Sequence, residues 1–351
     1  MPFRGKTTAG LVVRSRAPLR LGLAGGGSDV SPYSDLYGGY VLNATISMYA
    51  YCTIECLDKE GVEFIASDMG ECWAGEAQHR YDPGGPLVLH KAVYNRVVRD
   101  YCNNRPLSIR VITHSDAPPG SGLGSSSTVV VAMLRAYQEL LNLPLGEYDL
   151  AYLAYEIERK DCELAGGKQD QYAATFGGFN FMEFFPDDRV IVNPLRIRRD
   201  IVNEIECSML LYYTGQSRDS AAIIEDQIKG VAAGAQKTVQ ATHVVKQAAV
   251  DMKEALLKAD IRRMASILGE SWAAKLGMAC SISNTGIDEF YRAAMDAGAN
   301  SAKISGAGGG GFMMLFVEPT KKVAVEQSLS NMAGTFYRFH FTKEGAQAWV
   351  V

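Results

Sequence analysis

Apolar and polar positions change period several times along the chain, and each change marks an element. Residues 12–16 and 19–23 read as short β segments broken at Pro18, and Gly25-Gly26-Gly27-Ser28-Asp29 then forces a loop. Residues 41–57 are rich in β-branched and aromatic side chains. They alternate in part, Tyr49, Tyr51, Thr53 and Glu55 against Ala50, Cys52, Ile54 and Cys56, which predicts a long strand. Residues 63–67 are expected to pair with it. Residues 87–102 have helical spacing, and 107–113 predict a strand that runs into a glycine-serine stretch at 118–127. Residues 128–141 are apolar nearly all round, the pattern of a buried helix. Residues 148–162 and 169–175 predict helices, 178–185 with 190–194 a hairpin, and 207–214 a strand.

The composition then shifts. Residues 221–276 are rich in Ala, Lys and Gln with helical periodicity, predicting two or three helices, and 287–297 predict another. Strands at 302–304 and 312–317 flank a third glycine-rich loop, followed by a helix at 321–332 and a strand at 335–341. This order predicts an α+β protein of two units, 1–200 and 201–351, with the boundary near 195–205. There is no solenoid-type repeat or long low-complexity linker.

The bulk numbers narrow the class. With 351 residues, 47% hydrophobic and 21% charged, the chain is long enough for two cores. A net charge of −4 argues against a general nucleic-acid or membrane-surface binder, so any polyanionic ligand needs local cations. Seven cysteines without a C-x-x-C pair read as reduced thiols of a cytoplasmic protein. No apolar run reaches the ~18 residues needed to span a bilayer. Residues 1–16 lack an apolar stretch, so no signal peptide is expected.

The chemistry gathers at three glycine-rich loops, Gly25–Asp29, Gly120–Ser127 and Gly306–Gly311. In the second, glycines let backbone approach a ligand, and serines can cap the helix that follows. A helix start with free N–H groups is an anion site, which makes the stretch a phosphate cradle. Read alone, the same residues also suit an ordinary turn with a capped helix. Three such loops in one chain favour a single site where backbone crowds a ligand. Gly306-x-Gly308-x-x-Gly311 fits the dinucleotide fingerprint in letters, but a strand follows where that motif needs a helix. Gly5-Lys6-Thr7 has no residues before it in which to start a P-loop, and the protein-kinase signatures are absent.

Arg16-Ala17-Pro18-Leu19-Arg20-Leu21-Gly22-Leu23-Ala24-Gly25-Gly26-Gly27-Ser28-Asp29 resembles the first motif of the GHMP kinases, the superfamily of galactokinase, homoserine kinase, mevalonate kinase and phosphomevalonate kinase. Residues 118–127 and 303–312 resemble the second and third, in order, so the resemblance spans nearly the whole chain. It implies ATP-dependent phosphorylation of a small-molecule hydroxyl. It also implies an N-terminal domain like ribosomal protein S5 domain 2 and a ferredoxin-like C-terminal domain. ATP phosphates would lie on Pro119, Gly120, Ser121, Gly122, Leu123, Gly124, Ser125 and Ser126. By the same resemblance Ser126 and Glu158 are the Mg²⁺ ligands, Glu156 pointing elsewhere. Asp170 accepts or orients the proton of the attacking hydroxyl, and Arg20 lowers the pKa of that aspartate and stabilises the transferring charge.

Within the family, galactokinases carry Glu-His-Thr-Asp where this chain has Gly26, Gly27, Ser28 and Asp29. The aspartate that grips sugar hydroxyls is kept, and the first two side chains are missing. The motif with its flank, through Ser34 and on to Ser47, looks most like the sugar-kinase branch of fucokinases and D-glycero-D-manno-heptose 7-phosphate kinases. That branch implies phosphorylation of the anomeric hydroxyl of heptose 7-phosphate to the 1,7-bisphosphate, on a route to nucleotide-activated heptose. An unphosphorylated sugar such as fucose, or a kinase-like binding protein without catalysis, stays open as an alternative. Gly308 and Gly309 join the substrate set through the third motif. A phosphorylated substrate needs a second anion pocket, for which Arg218, Lys168 and Lys275 are candidates, with Arg218 preferred. The partners expected are ATP and a small sugar phosphate, with no nucleic acid and no membrane. A homodimer stays open, since the sequence does not decide the oligomeric state.

Overall fold

Two long strands form the spine. The structure is a computed structural model that describes residues 9–216 and 220–351. β1 (Val12–Ala24) is one continuous strand paired antiparallel with β2 (Gly39–Cys56). Pro18 does not break it. A register shift between Pro18 and Arg20 takes up the irregularity, as β-bulges do. A short helix, α1 (Tyr33–Tyr37), lies between them. Next come β3 (Val62–Ala66), β4 (Glu71–Gly75), α2 (Val88–Tyr101) and β5 (Ile109–Ser115). The expected pairing of residues 63–67 with the long strand does not form. β3 instead lies parallel to β5 and antiparallel to β4, because β5 already occupies the edge of β2.

The chain then runs through α3 (Ser125–Leu141), α4 (Glu147–Glu156), one π-helical turn (Ile157–Asp161) and α5 (Gln169–Phe176). A hairpin of β6 (Phe179–Phe184) and β7 (Val190–Pro194) joins the same sheet through β2. α6 (Arg199–Ser208) leads into β8 (Met209–Tyr213), so the strand expected from residue 207 starts two residues later. Three helices follow, α7 (Ser220–Ala232), α8 (Gln236–Leu257) and α9 (Ile261–Lys275), and then α10 (Thr285–Asp296). β9 (Ser301–Ile304), β10 (Phe312–Phe316), α11 (Lys322–Ser330), β11 (Thr335–Tyr337) and β12 (Gln347–Val350) complete the chain.

Among the described residues the first sheet has eight strands, with β12 returning to pair with β1. The second has four, in the order β11-β8-β10-β9. Both are layered with helices, as expected for the α+β class. Alternation along β1 decides what lies between the sheets. Leu19, Leu21 and Leu23 share one buried cluster with Ala249 and Met252 of α8 and Leu268 of α9. Arg20 and Gly22, on the opposite face, open onto a cleft. No helix among the described residues is long and apolar enough to cross a membrane.

Candidate active site

The cleft has a volume of about 540 Å³ and is lined by all three glycine-rich loops. The second loop meets α3 with φ of 69° at Gly120, 79° at Gly122 and 78° at Gly124. A Cβ on Gly122 would collide with the carbonyl of Ser305, so the second and third loops approach only because this residue is glycine. α3 begins at Ser125, three residues earlier than its apolar run suggests, and no serine side chain caps it. The N-cap is Gly124 in the left-handed region, and Ser125, Ser126 and Ser127 form the first turn. Their N–H groups have no intrahelical acceptor and stand at the positive end of the helix dipole. Of the eight residues expected to hold phosphates, seven line the cleft. Leu123 does not. Its side chain is fully buried in the core, and only its carbonyl serves the site, accepting from the Arg20 N–H at 3.2 Å.

Ser126 and Glu158 meet as expected. The serine hydroxyl donates to Glu158 Oε1 at 2.9 Å, and Gln171 Nε2 donates to Oε2 at 2.5 Å. Glu158 lies on the π-helical turn and is 1% exposed. Glu156 points elsewhere, at Arg96 and Lys160. No cluster of three or more His, Cys, Asp or Glu that could hold a metal occurs among the described residues. The pair is a hard-oxygen donor set of the kind Mg²⁺ takes, incomplete without phosphate or water oxygens.

Arg20 ties the loops together. Nε and Nη2 reach Asp170 Oδ1 at 2.7 and 2.6 Å, and Nη1 reaches the Gly122 carbonyl at 2.7 Å and Ser305 Oγ at 3.3 Å. Asp170 Oδ2 has no hydrogen-bond partner among the described residues, and the side chain is 22% exposed to the cleft. Asp29 is 1% exposed and accepts four N–H groups, from Gly27, Lys168 and both the backbone and side chain of Gln169, at 3.0–3.1 Å. It therefore clamps the first glycine loop to the start of α5. Gly167 is required there, since a Cβ would collide with the Asp29 carboxylate.

Four expected contacts are not in the cleft. Ser28 is fully buried, its hydroxyl bracing its own loop at the carbonyls of Gly25 and Tyr40. The Lys168 ammonium turns to Asp188 at 2.9 Å and Asp35 at 3.7 Å, so only its backbone N–H serves the site. Gly308 and Gly309 pack on Ile282, and the third loop reaches the cleft through Gly306 and Ala307 instead. Arg218 lies outside the described residues. Gly26, Gly27 and Asp29 line the cleft as expected.

Several lining groups escaped the sequence reading: Arg159, Gln169, Gln227 and Lys303. Arg159 donates to the carbonyls of Leu164 and Gly167 and braces the turn before Asp170. Lys303 is fully buried and donates to the carbonyls of Gly22 and Leu23 across the two sheets. Its burial, with Lys275 and Arg20 close by, pushes its pKa well below the usual lysine range. A lysine between Ala302 and Ile304 in a short buried strand, just before a glycine loop, was the available signal.

Comparison with known proteins agrees with this geometry. The model of the GHMP kinases N terminal domain matches residues 89–178, and that of the GHMP kinases C terminal matches residues 252–334. The chain is 49% identical over 337 residues to the D-glycero-alpha-D-manno-heptose 7-phosphate kinase of Campylobacter jejuni, covering 96% of this chain and 98% of that one. It superposes on the crystal structure of a D-glycero-D-manno-heptose 1-phosphate kinase from Bacteroides thetaiotaomicron with a TM-score of 0.83 at 48% identity, over 97% and 99% of the two chains. A Lactococcus lactis galactokinase complexed with galactose shares the fold, at a TM-score of 0.74 and 17% identity over 96% and 95% of the chains. Because the 49% identity runs through nearly the whole length and is not confined to the glycine loops, this chain belongs to the GHMP kinases, with their two-domain fold and their use of ATP.

Proposed function

We propose that this kinase transfers the γ-phosphoryl group of ATP to the anomeric hydroxyl of D-glycero-D-manno-heptose 7-phosphate, giving the 1,7-bisphosphate. The observation that carries the reading is the Arg20–Asp170 pair, held between the Ser126–Glu158 pair and the Gly25–Asp29 loop. The relatives named for heptose phosphates support the substrate class, and they differ in where that phosphate sits. Residues 1–200 carry the nucleotide and catalytic set, and residues 201–351 close the acceptor end.

The chain's groups divide the work. Backbone N–H groups of Gly120, Gly122 and Gly124–Ser126 hold the triphosphate, the Ser121 N–H being spent on the Pro118 carbonyl at 3.2 Å. Ser126 and Glu158 hold Mg²⁺, which when bound neutralises charge on the phosphates. Asp170 Oδ2 accepts the proton of the C1 hydroxyl as its oxygen bonds to the γ-phosphorus and the bond to ADP breaks. Arg20 keeps Oδ1 occupied, so Asp170 presents one oxygen in a fixed direction.

Release of ADP, followed by a coupled assay across heptose 7-phosphate, heptose 1-phosphate, fucose, galactose and mevalonate, tests this. The expected result is the highest kcat/KM with heptose 7-phosphate. A preference for any unphosphorylated sugar overturns the substrate assignment, and no turnover of any acceptor overturns the kinase reading.

A further inference from the structure

Among the described residues four cations line the cleft, Arg20, Arg159, Lys275 and Lys303, and two are already committed. Arg20 is bound to Asp170. Arg159 lies 3.9 Å from Glu158 and donates to two carbonyls. Neither lysine has a carboxylate partner among the described residues. Lys303 donates to two carbonyls of β1. Lys275 donates to one, that of Gly306, at 2.5 Å. An ammonium carries three donors, so Lys275 has two left over while being only 2% exposed.

Among the described residues the carboxylates lining the cleft are already engaged. Asp29 already accepts four N–H groups, Glu158 faces Ser126 and Gln171, and Asp170 faces Arg20. A buried ammonium with no carboxylate bonded to it is costly, and an anionic ligand offsets that cost. A second group at this end is also unused. Gln227 on α7 is 4% exposed, lines the cleft beside Gly27, and its Nε2 has no partner among the described residues.

We infer that Lys275 is the residue that holds the acceptor's own phosphate, with Gln227 donating to the sugar beside it. This rests on the sugar-phosphate reading above. Of the two candidate cations among the described residues, Lys168 is neutralised by Asp188 and Asp35, which leaves Lys275. The charged groups around Lys275 are Arg20 on β1, Lys303 on β9 and Asp29 in the first loop. Burial above all, and then Arg20, pushes the Lys275 pKa down to about 8, against the opposing pull of Asp29. In the empty enzyme the cation is therefore lost as pH rises through about 8, and affinity for a phosphorylated acceptor falls with it.

The test uses the full chain with heptose 7-phosphate and unphosphorylated D-glycero-D-manno-heptose as paired acceptors at saturating ATP. Lys275→Met should raise KM for the phosphorylated acceptor by about tenfold or more, the loss of one charge-assisted contact. KM for the unphosphorylated acceptor and the Kd for ATP should stay within about twofold. In the wild type, 1/KM for the phosphorylated acceptor should fall above pH 8. Lys275→Arg should bind it and stay flat past pH 9, because a guanidinium does not titrate there. That flat profile decides the matter even if Lys275→Met fails to fold. An equal rise for both acceptors, a pH limb unchanged in Lys275→Arg, or a rise confined to ATP overturns the assignment. The last outcome would place the lysine on the nucleotide's phosphate. A wild type that turns over only unphosphorylated sugar removes the underlying reading, whatever Lys275 does.

Discussion

The two ends of the cleft are built by different means. At the proposed nucleotide end, one continuous stretch does most of the work. Gly120, Gly122 and Gly124 shape the loop, α3 supplies its first-turn amides, and Glu158 closes on Ser126. Backbone N–H groups recognise phosphate whatever side chains flank them. At the proposed acceptor end the groups come from far apart: Asp29 from the first loop, Gln169 from α5, Gln227 from α7, Lys275 from α9 and Gly306 from the third loop. Arg20 alone bridges 285 positions to Ser305. Chemistry common to a family can therefore reside in a local motif, while choice of substrate depends on how distant segments converge.

That contrast can be broken at its joint. Asp170→Asn should lower kcat by at least ~10²-fold with ATP affinity nearly unchanged, because a carboxamide cannot take the proton. Near-normal turnover would show that Asp170 does not serve as the base. On the nucleotide side, Glu158→Gln should raise the Mg²⁺ concentration for half-maximal activity by about tenfold, the weight of one contact to a charged group. The same metal titration with acceptor KM as readout should show no parallel change. Gly122→Ala combines a φ of 79° with a collision at the Ser305 carbonyl. It should cost ~1–3 kcal/mol of stability and weaken ATP binding several-fold. Gly234→Ala is the control, since its φ is 64° but nothing lies within 4 Å of the new Cβ. Equal Tm losses in the two would mean that backbone strain alone, and not the contact between loops, sets the cost.

How far these ends could be read in advance follows the same division. The glycine loops were legible from residue type, and Asp170 and the Ser126–Glu158 pair only through the family resemblance that those loops carry. The long second strand, the buried helix and the helical 221–276 region were legible from period alone. Pro18 misled, because a bulge between Pro18 and Arg20 keeps the strand intact, and that depends on pairing with β2. α6 was missed because only Ile201, Val202 and Ile205 of its ten residues form a buried apolar stripe. β12 was missed because its partner, β1, lies at the other end of the chain. Lys168 looked like a free cation beside the turn before Asp170. Its partners Asp188 and Asp35 sit on segments that no local rule brings near it. The serines of the second loop looked like caps, yet Gly124 in the left-handed region takes the N-cap and leaves their amides for a ligand.

Asp29 is where the two readings differ most, and it gives the next prediction in size. By resemblance it grips sugar hydroxyls, but its oxygens already accept four N–H groups. In Asp29→Asn one acceptor becomes an NH₂ that faces N–H donors, at a cost of ~1–3 kcal/mol. A lower Tm should accompany a few-fold higher acceptor KM, with ATP affinity intact. If KM rises with Tm unchanged, the carboxylate acts on the sugar alone and the clamp between the first loop and α5 is incidental.

The smallest expected effect is the most selective. Glu156 and Glu158 are two residues apart, and the π-helical turn separates their surroundings. Glu158 is 1% exposed and bound to Ser126, whereas the Glu156 side chain is 23% exposed and pairs with Arg96 at 3.0 Å and Lys160 at 3.2 Å. Partly exposed pairs of this kind contribute roughly 0–1 kcal/mol each, and Arg96 keeps Asp161 when Glu156 is removed. Glu156→Gln should therefore shift Tm by no more than a few degrees and leave the Mg²⁺ titration superimposable on wild type. A metal defect in Glu156→Gln comparable to that of Glu158→Gln would mean that the whole π-helical turn, and not one carboxylate on it, sets the metal site, and the nucleotide end would then depend on convergent contacts as much as the acceptor end does.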